Sequence, residues 1–232
     1  SVKELPQARV IRRVMPQDVF PEIPQGRVAV MIGSHKKFTD AETQALDAFC
    51  ATHDAVVFGD HTSGYKGKYR VPIDLLSSQE KDYCPLTDMD LLVHIGEVSG
   101  GYIGVRPRIV WRVNSDGELR DTHHKLTYVF EMAEQTFFTH YAEVSVSPRH
   151  GYLDACWQAL RGTWAKVSVE TLPFSNVWIA RETSSRIPAG SVLFLGILNS
   201  LRTWNYFDIP DTVYGYANTG GFGIDGYISS MI

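Results

Sequence analysis

The 232-residue chain has little that would staple it, anchor it or hold a metal. Its three cysteines, Cys50, Cys84 and Cys156, are odd in number, widely spaced and free of any C-x-x-C pattern. That excludes a disulfide framework and points to free thiols in a reducing, cytoplasmic setting. No apolar run approaches the ~20 residues that span a bilayer. The first residues, rich in proline and charge, lack the apolar segment of a secretory signal. Basic residues form no run longer than the pairs Arg12-Arg13 and Lys36-Lys37, and the net charge is −4. Nucleic-acid and membrane-surface partners want a basic face and are therefore not expected. Metal-binding signatures such as H-x-x-x-H or H-E-x-x-H are absent, and so is the G-x-S-x-G elbow of hydrolases.

What is present is an ordinary globular composition, 44% apolar and 21% charged. A chain of this length buries roughly 70% of its unfolded surface. Residues 1–26, punctuated by Pro6, Pro16, Pro21 and Pro24, hold no helix or strand period and read as an interdomain linker. Beyond them, 28–32, 55–58, 91–95, 108–113 and 126–130 are short apolar runs, four of them closed by Gly, Asp or Asn. Runs apolar on both faces suit strands of a parallel sheet covered on both sides. Thr39 and Glu42 have capping-box spacing ahead of the stripe Ala45, Leu46, Phe49 and Cys50, which predicts a helix from Thr39. A second helix is expected over about 132–141. The alternation predicts a doubly wound, mostly parallel Rossmann-like α/β domain over 27–145, with any site beyond the carboxyl ends of its strands.

Residues 146–232 read as a partial second α/β unit. Helices are expected at about 152–167, 176–185 and 199–206, with strands at 191–196 and 212–216. The glycine-rich stretch 219–226 then leads into a further helical turn that reaches Ile232. A helix opening behind such a loop offers free N–H groups to an anion, although a plain glycine turn capped by Asp225 has the same spacing. The loop 96–104 after the third strand invites comparison with a phosphate cradle, but its glycines miss the dinucleotide fingerprint and a connecting loop fits as well. Asp60, His61 and Ser63 form a polar cluster behind a strand, and His94 inside an apolar strand reads as a hydrogen-bonded core histidine.

The segment Leu195-Gly196-Ile197-Leu198-Asn199-Ser200-Leu201, followed by Tyr216-Ala217-Asn218-Thr219-Gly220-Gly221-Phe222-Gly223-Ile224-Asp225-Gly226-Tyr227-Ile228-Ser229-Ser230, resembles thiamine-diphosphate-dependent enzymes. It is most similar to the menaquinone-pathway synthases of 2-succinyl-5-enolpyruvyl-6-hydroxy-3-cyclohexene-1-carboxylate, which carry G-N-S-L and S-N-R-G-x-x-G-I-D-G-x-x-S. The similarity is strong at 191–230 and loose at 26–142. It implies a fragment: the middle domain plus the N-terminal part of the diphosphate-binding domain, from a homodimeric or homotetrameric parent acting on a small 2-oxo acid. The parent would use thiamine diphosphate and Mg²⁺. The Mg²⁺ motif and the domain with the activating glutamate are expected outside this chain, which alone would neither hold the coenzyme tightly nor catalyse.

By the same resemblance, Thr219, Gly223, Ile224 and Asp225 would touch the coenzyme, with Ile224 propping its bent form, and Asn199, Ser200 and Arg202 would touch substrate. No catalytic residue and no metal ligand is implied. Basic residues that hold substrate carboxylates in the family are replaced: Thr219 and Trp204 stand where arginines are expected, and Tyr102 falls near an expected lysine. Neither Thr nor Trp makes a charge-assisted bidentate contact, so a different 2-oxo acid or acceptor is expected. The alternatives are a nucleotide-binding module, of ADP, FAD or NAD type, using the loops 33–37 and 96–104, or a spacer domain.

Overall fold

The computed structural model describes residues 9–78, 83–101, 103–144, 151–166 and 171–218. Seven strands, β1 (Arg12–Val14), β2 (Val28–Ile32), β3 (Val56–Gly59), β4 (Arg70–Val71), β5 (Asp88–Ile95), β6 (Arg106–Asn114) and β7 (Leu126–Glu131), form one sheet in the order β1-β7-β6-β5-β2-β3-β4. Every pairing is parallel, and Val30 of β2 pairs with Val57 on one side and Val93 on the other. From β2 the chain steps outward to β4, crosses back to β5 and steps outward again. The order therefore reverses between β2 and β5, whose carboxyl ends flank the switch point of a doubly wound sheet.

Both faces of the sheet are buried, which explains why its strands read as unbroken apolar runs. On one face Val28, Val30, Ile32, Leu91, Val93, Trp111 and Phe130 meet α1 (Asp40–His53) and α3 (Glu134–Ala142) through Leu46, Phe49, Phe137, Phe138 and Tyr141. The Phe49 ring lies 5.2 Å from Phe138 and 6.1 Å from Phe137, at edge-on and tilted angles that suit aromatic quadrupoles. Burying each such ring contributes about 2 kcal/mol. On the other face Ala29, Phe58, Leu92 and Val129 meet α2 (Asp74–Ser77) and α4 (Tyr152–Lys166), which sends in Tyr152, Cys156 and Leu160.

Three details differ from the sequence expectation. The presumed linker contributes β1, an edge strand whose Arg13 pairs with Glu131, and Phe20 of the same segment packs edge-on against Phe130. β5, β6 and β7 follow one another through loops. The helices that cover them, α3 and α4, arrive only after β7. Finally, α4 lies beyond the expected boundary at 145, yet it packs on the first sheet.

The second unit holds α5 (Asn176–Thr183), β8 (Val192–Leu195), α6 (Asn199–Trp204) and β9 (Tyr214–Ala217). β8 and β9 pair in parallel, from Val192 opposite Tyr214 to Leu195 opposite Ala217, with α6 as the crossover. A second, smaller α/β unit follows the first sheet, with its two strands and crossover helix where the sequence predicts them.

Candidate functional site

The strand carboxyl ends of the first sheet are drawn together by Asp60. Its Oδ1 accepts the Thr62 N–H at 2.7 Å and the Thr62 hydroxyl at 2.6 Å, and its Oδ2 accepts from Ser99. Ser34 then donates to Thr62 Oγ1 at 3.0 Å. One carboxylate thereby ties the loops after β2, β3 and β5 together. Gly33 is pressed so closely on the Glu97 carbonyl that a Cβ would lie 1.8 Å from it, and Ser34 and Glu97 form a β-bridge. The mouth of the switch point is thus closed by backbone.

His61, next in the chain, points elsewhere. Its Nε2–H faces the carbonyls of Trp204 at 2.9 Å and Phe207 at 3.0 Å, and its buried Nδ1 has no partner among the described residues. Burial, reinforced by nearby Arg70, holds its pKa down to about 4, so the ring is neutral. Among the described residues no hydrogen bond joins His61 to Asp60 or Ser63, so the three do not form a proton relay.

Asn205, just past α6, joins the two units. Its Oδ1 accepts the His61 N–H at 3.2 Å and its Nδ2 donates to Asp74 Oδ1 at 3.2 Å. Asp74 is 3% exposed, and burial first, then the Asp60 charge, raise its pKa to about 8. Three glycines let the units meet. Cβ atoms on Gly100 and Gly215 would fall 2.7 Å from Ile197 Cβ and the His61 carbonyl, and one on Gly101 would fall 3.3 Å from Asn205 Nδ2. The glycines of the 96–104 loop thus receive protein, where the sequence suggested a phosphate; Tyr102 lies outside the described residues.

A second charged group caps β5 and β6. Arg112 is 1% exposed and meets the His94 carbonyl at 3.5 Å and Glu118 at 3.8 Å, while Arg120 pairs with Glu97 at 2.7 Å and Glu118 at 2.6 Å. Burial, then the Arg112 charge, lowers the His94 pKa to about 3, so this core histidine is neutral. Each arginine has a carboxylate beside it, which makes the group a structural network.

Of the expected site residues, Asn199, Ser200 and Arg202 share the first turn of α6, beyond the carboxyl end of β8. Leu198 precedes them at φ 68° and ψ −115°, a conformation costly for a residue with a Cβ and the kind of strain that gathers at sites. The Asn199 carbonyl accepts from Thr203. Arg202 lines a cavity of about 130 Å³ with Asp74, Ser78 and Tyr206. Thr219, Gly223, Ile224 and Asp225 lie outside the described residues. Asp74 and Asn205 were not singled out from the sequence. A lone Asp in Pro-Ile-Asp-Leu and a lone Asn after a helix carry no motif, and only the tertiary contact gives them meaning.

A larger cavity, about 760 Å³, opens at the amino ends of the strands between the Phe20–Val28 segment, His53, Tyr141 and Tyr152. Its wall is mostly apolar, and the His53 Nε2–H is already engaged by the Tyr141 carbonyl at 2.8 Å. No helix among the described residues is long and apolar enough to cross a membrane. Nor does any cluster of three His, Cys, Asp or Glu side chains among them suit a metal ion. No family model matches the chain, and no curated protein matches it.

Proposed function

We propose that this chain is the middle domain and the opening of the diphosphate-binding domain of a thiamine-diphosphate-dependent enzyme, a lyase or transferase acting on a 2-oxo acid. The observation that carries the reading is the second unit. A fresh parallel sheet begins with β8, and the Leu195–Leu201 segment turns through the strained Leu198 into α6 at the carboxyl end of that strand. β9 then runs parallel into the Asn218–Ser230 segment. The chain order strand, Asn-Ser-Leu helix, strand, glycine-rich stretch of sequence is the one the sequence resemblance calls for. In this reading Asn199, Ser200 and Arg202 border the substrate, and Thr219, Gly223, Ile224 and Asp225 border the coenzyme. When bound, the coenzyme would supply the electron sink for cleavage next to the 2-oxo group. Mg²⁺ is assigned no residue of this chain.

The test is coenzyme binding to the complete gene product, followed by circular dichroism with thiamine diphosphate added with and without Mg²⁺. Saturable, Mg²⁺-dependent binding is expected, with Ile224→Ala weakening it about tenfold, equivalent to about 1.4 kcal/mol. A complete product that binds no thiamine diphosphate overturns the proposal.

A further inference from the structure

The amino ends of β2, β5 and β6 gather three exposed arginines: Arg27 just ahead of β2, and Arg106 and Arg108 at the start of β6. With Asp88 and Asp90 of β5 they border a depression of about 330 Å³. That is the lower end of the range for small-molecule sites, about 300–1,000 Å³. Contacts fix where the three guanidinium heads sit. Arg27 Nη1 donates to the Pro85 carbonyl at 2.7 Å and to the Asp88 carbonyl at 3.4 Å. Arg108 Nε donates to Asp90 Oδ1 at 3.3 Å. The Arg106 head lies 4.6 Å from the centre of the Tyr83 ring, whose hydroxyl donates to Asp88 Oδ2. All three heads therefore converge on the first residues of β5.

Like charges gathered in one place repel, and the two carboxylates between them are already engaged. Asp90 gives one oxygen to Arg108 and the other to the Arg27 N–H at 3.0 Å. Asp88 gives Oδ2 to Tyr83, and its Oδ1 is buried. Neither carboxylate is left to confront an incoming anion. Three guanidiniums against two carboxylates leave one positive charge over. Among the described residues neither Arg27 nor Arg106 has a carboxylate partner, and Arg106 makes no hydrogen bond. We propose that this depression is a binding site for a phosphate-type oxyanion, either free phosphate or a small phosphate monoester. Guanidinium forks suit carboxylate and phosphate alike. Three heads around one depression favour the tetrahedral anion, which offers oxygens to several sides, over the flat carboxylate, which fills a single fork. The site lies at the strand amino ends, away from the substrate and coenzyme residues of the proposed function, and does not depend on that reading.

The experiment is calorimetric titration of the chain at low ionic strength with inorganic phosphate, glycerol 3-phosphate and acetate, in wild type, Arg106→Gln and Arg12→Gln. It needs no coenzyme, so its failure is distinguishable from failure of the thiamine reading. Saturable binding of phosphate or its ester is expected in wild type, and whichever of the two binds more tightly separates the free ion from the ester. Arg106→Gln, at an exposed position whose contact is the face of Tyr83, is expected to lower affinity at least about tenfold. Arg12→Gln removes the same charge from the edge strand β1 and is expected to leave affinity unchanged. Absence of saturable binding in wild type overturns the proposal. So does an affinity indifferent to Arg106, an equal loss in Arg12→Gln, or acetate binding as tightly as the phosphates.

Discussion

His61 and Asp74 lie on opposite sides of the Asn205 amide, and their protons act on stability in opposite directions. His61 titrates at about 4 in the fold against 6.5 unfolded, so its contribution is complete above 6.5 and is lost as pH falls towards 4. Asp74 titrates at about 8 against 3.8, so the fold binds that proton more tightly than the unfolded chain does. Its contribution is complete below 3.8 and declines as pH rises to 8. Between about 4 and 6.5 the two slopes oppose one another; from 6.5 to 8 only the Asp74 slope remains. Wild type is therefore expected to lose stability across that upper window, and Asp74→Asn to remove the loss, as read by urea midpoints at several pH values. Equal losses in both proteins would place the titrating group elsewhere.

At the scale of elements, α1 shows what a sequence can announce. Thr39 accepts the Glu42 N–H at 3.2 Å, and the Glu42 carboxylate accepts the Thr39 N–H at 2.8 Å, the reciprocal cap that the spacing predicts. Lys36 first, and the Thr39 N–H next, hold the Glu42 carboxyl down to about 2. Thr39→Ala is expected to cost about 1 kcal/mol in urea unfolding, because the Glu42 N–H loses its side-chain acceptor. The five strands anticipated for the first sheet are all present because that sheet is buried on both faces and its strands read as apolar runs. β1, β4 and α2 were not anticipated, at three, two and four residues. Segments that short carry no period, and they are held by neighbours distant in sequence, as Arg12 is by Tyr128 across the β1–β7 pairing. The site was less legible than the fold for the same reason. Arg202 came from a resemblance, whereas Asp74 and Asn205, which tie the two units together, are joined to one another only across 131 positions of chain.

For the molecule as a whole, the decisive contact is the one between the two sheets. It is carried by the Asn205 bridge, the His61 contacts, the Arg70–Asp208 pair, the Trp164–Phe207 ring pair at 5.3 Å and the close approach of glycines. Held by a handful of separate contacts rather than by a paired sheet, the seam should open before the seven-stranded sheet does. Gly215 is the place to test this. Its N–H donates to the His61 carbonyl at 3.2 Å, and a Cβ there would meet that same carbonyl at 2.7 Å and the His61 Cβ at 2.9 Å. Both obstacles belong to a residue pinned by Asn205, Trp204 and Phe207, so neither can retreat cheaply. Gly215→Val is therefore expected to prise the units apart while sparing the first core. In hydrogen exchange, amides of α6 and β9 should lose protection, and Val30, Val57 and Val93, paired in the middle of the sheet, should keep theirs. A uniform loss in both sets would mean that the second unit and the sheet unfold as one, and that the seam is as strong as the core it borders.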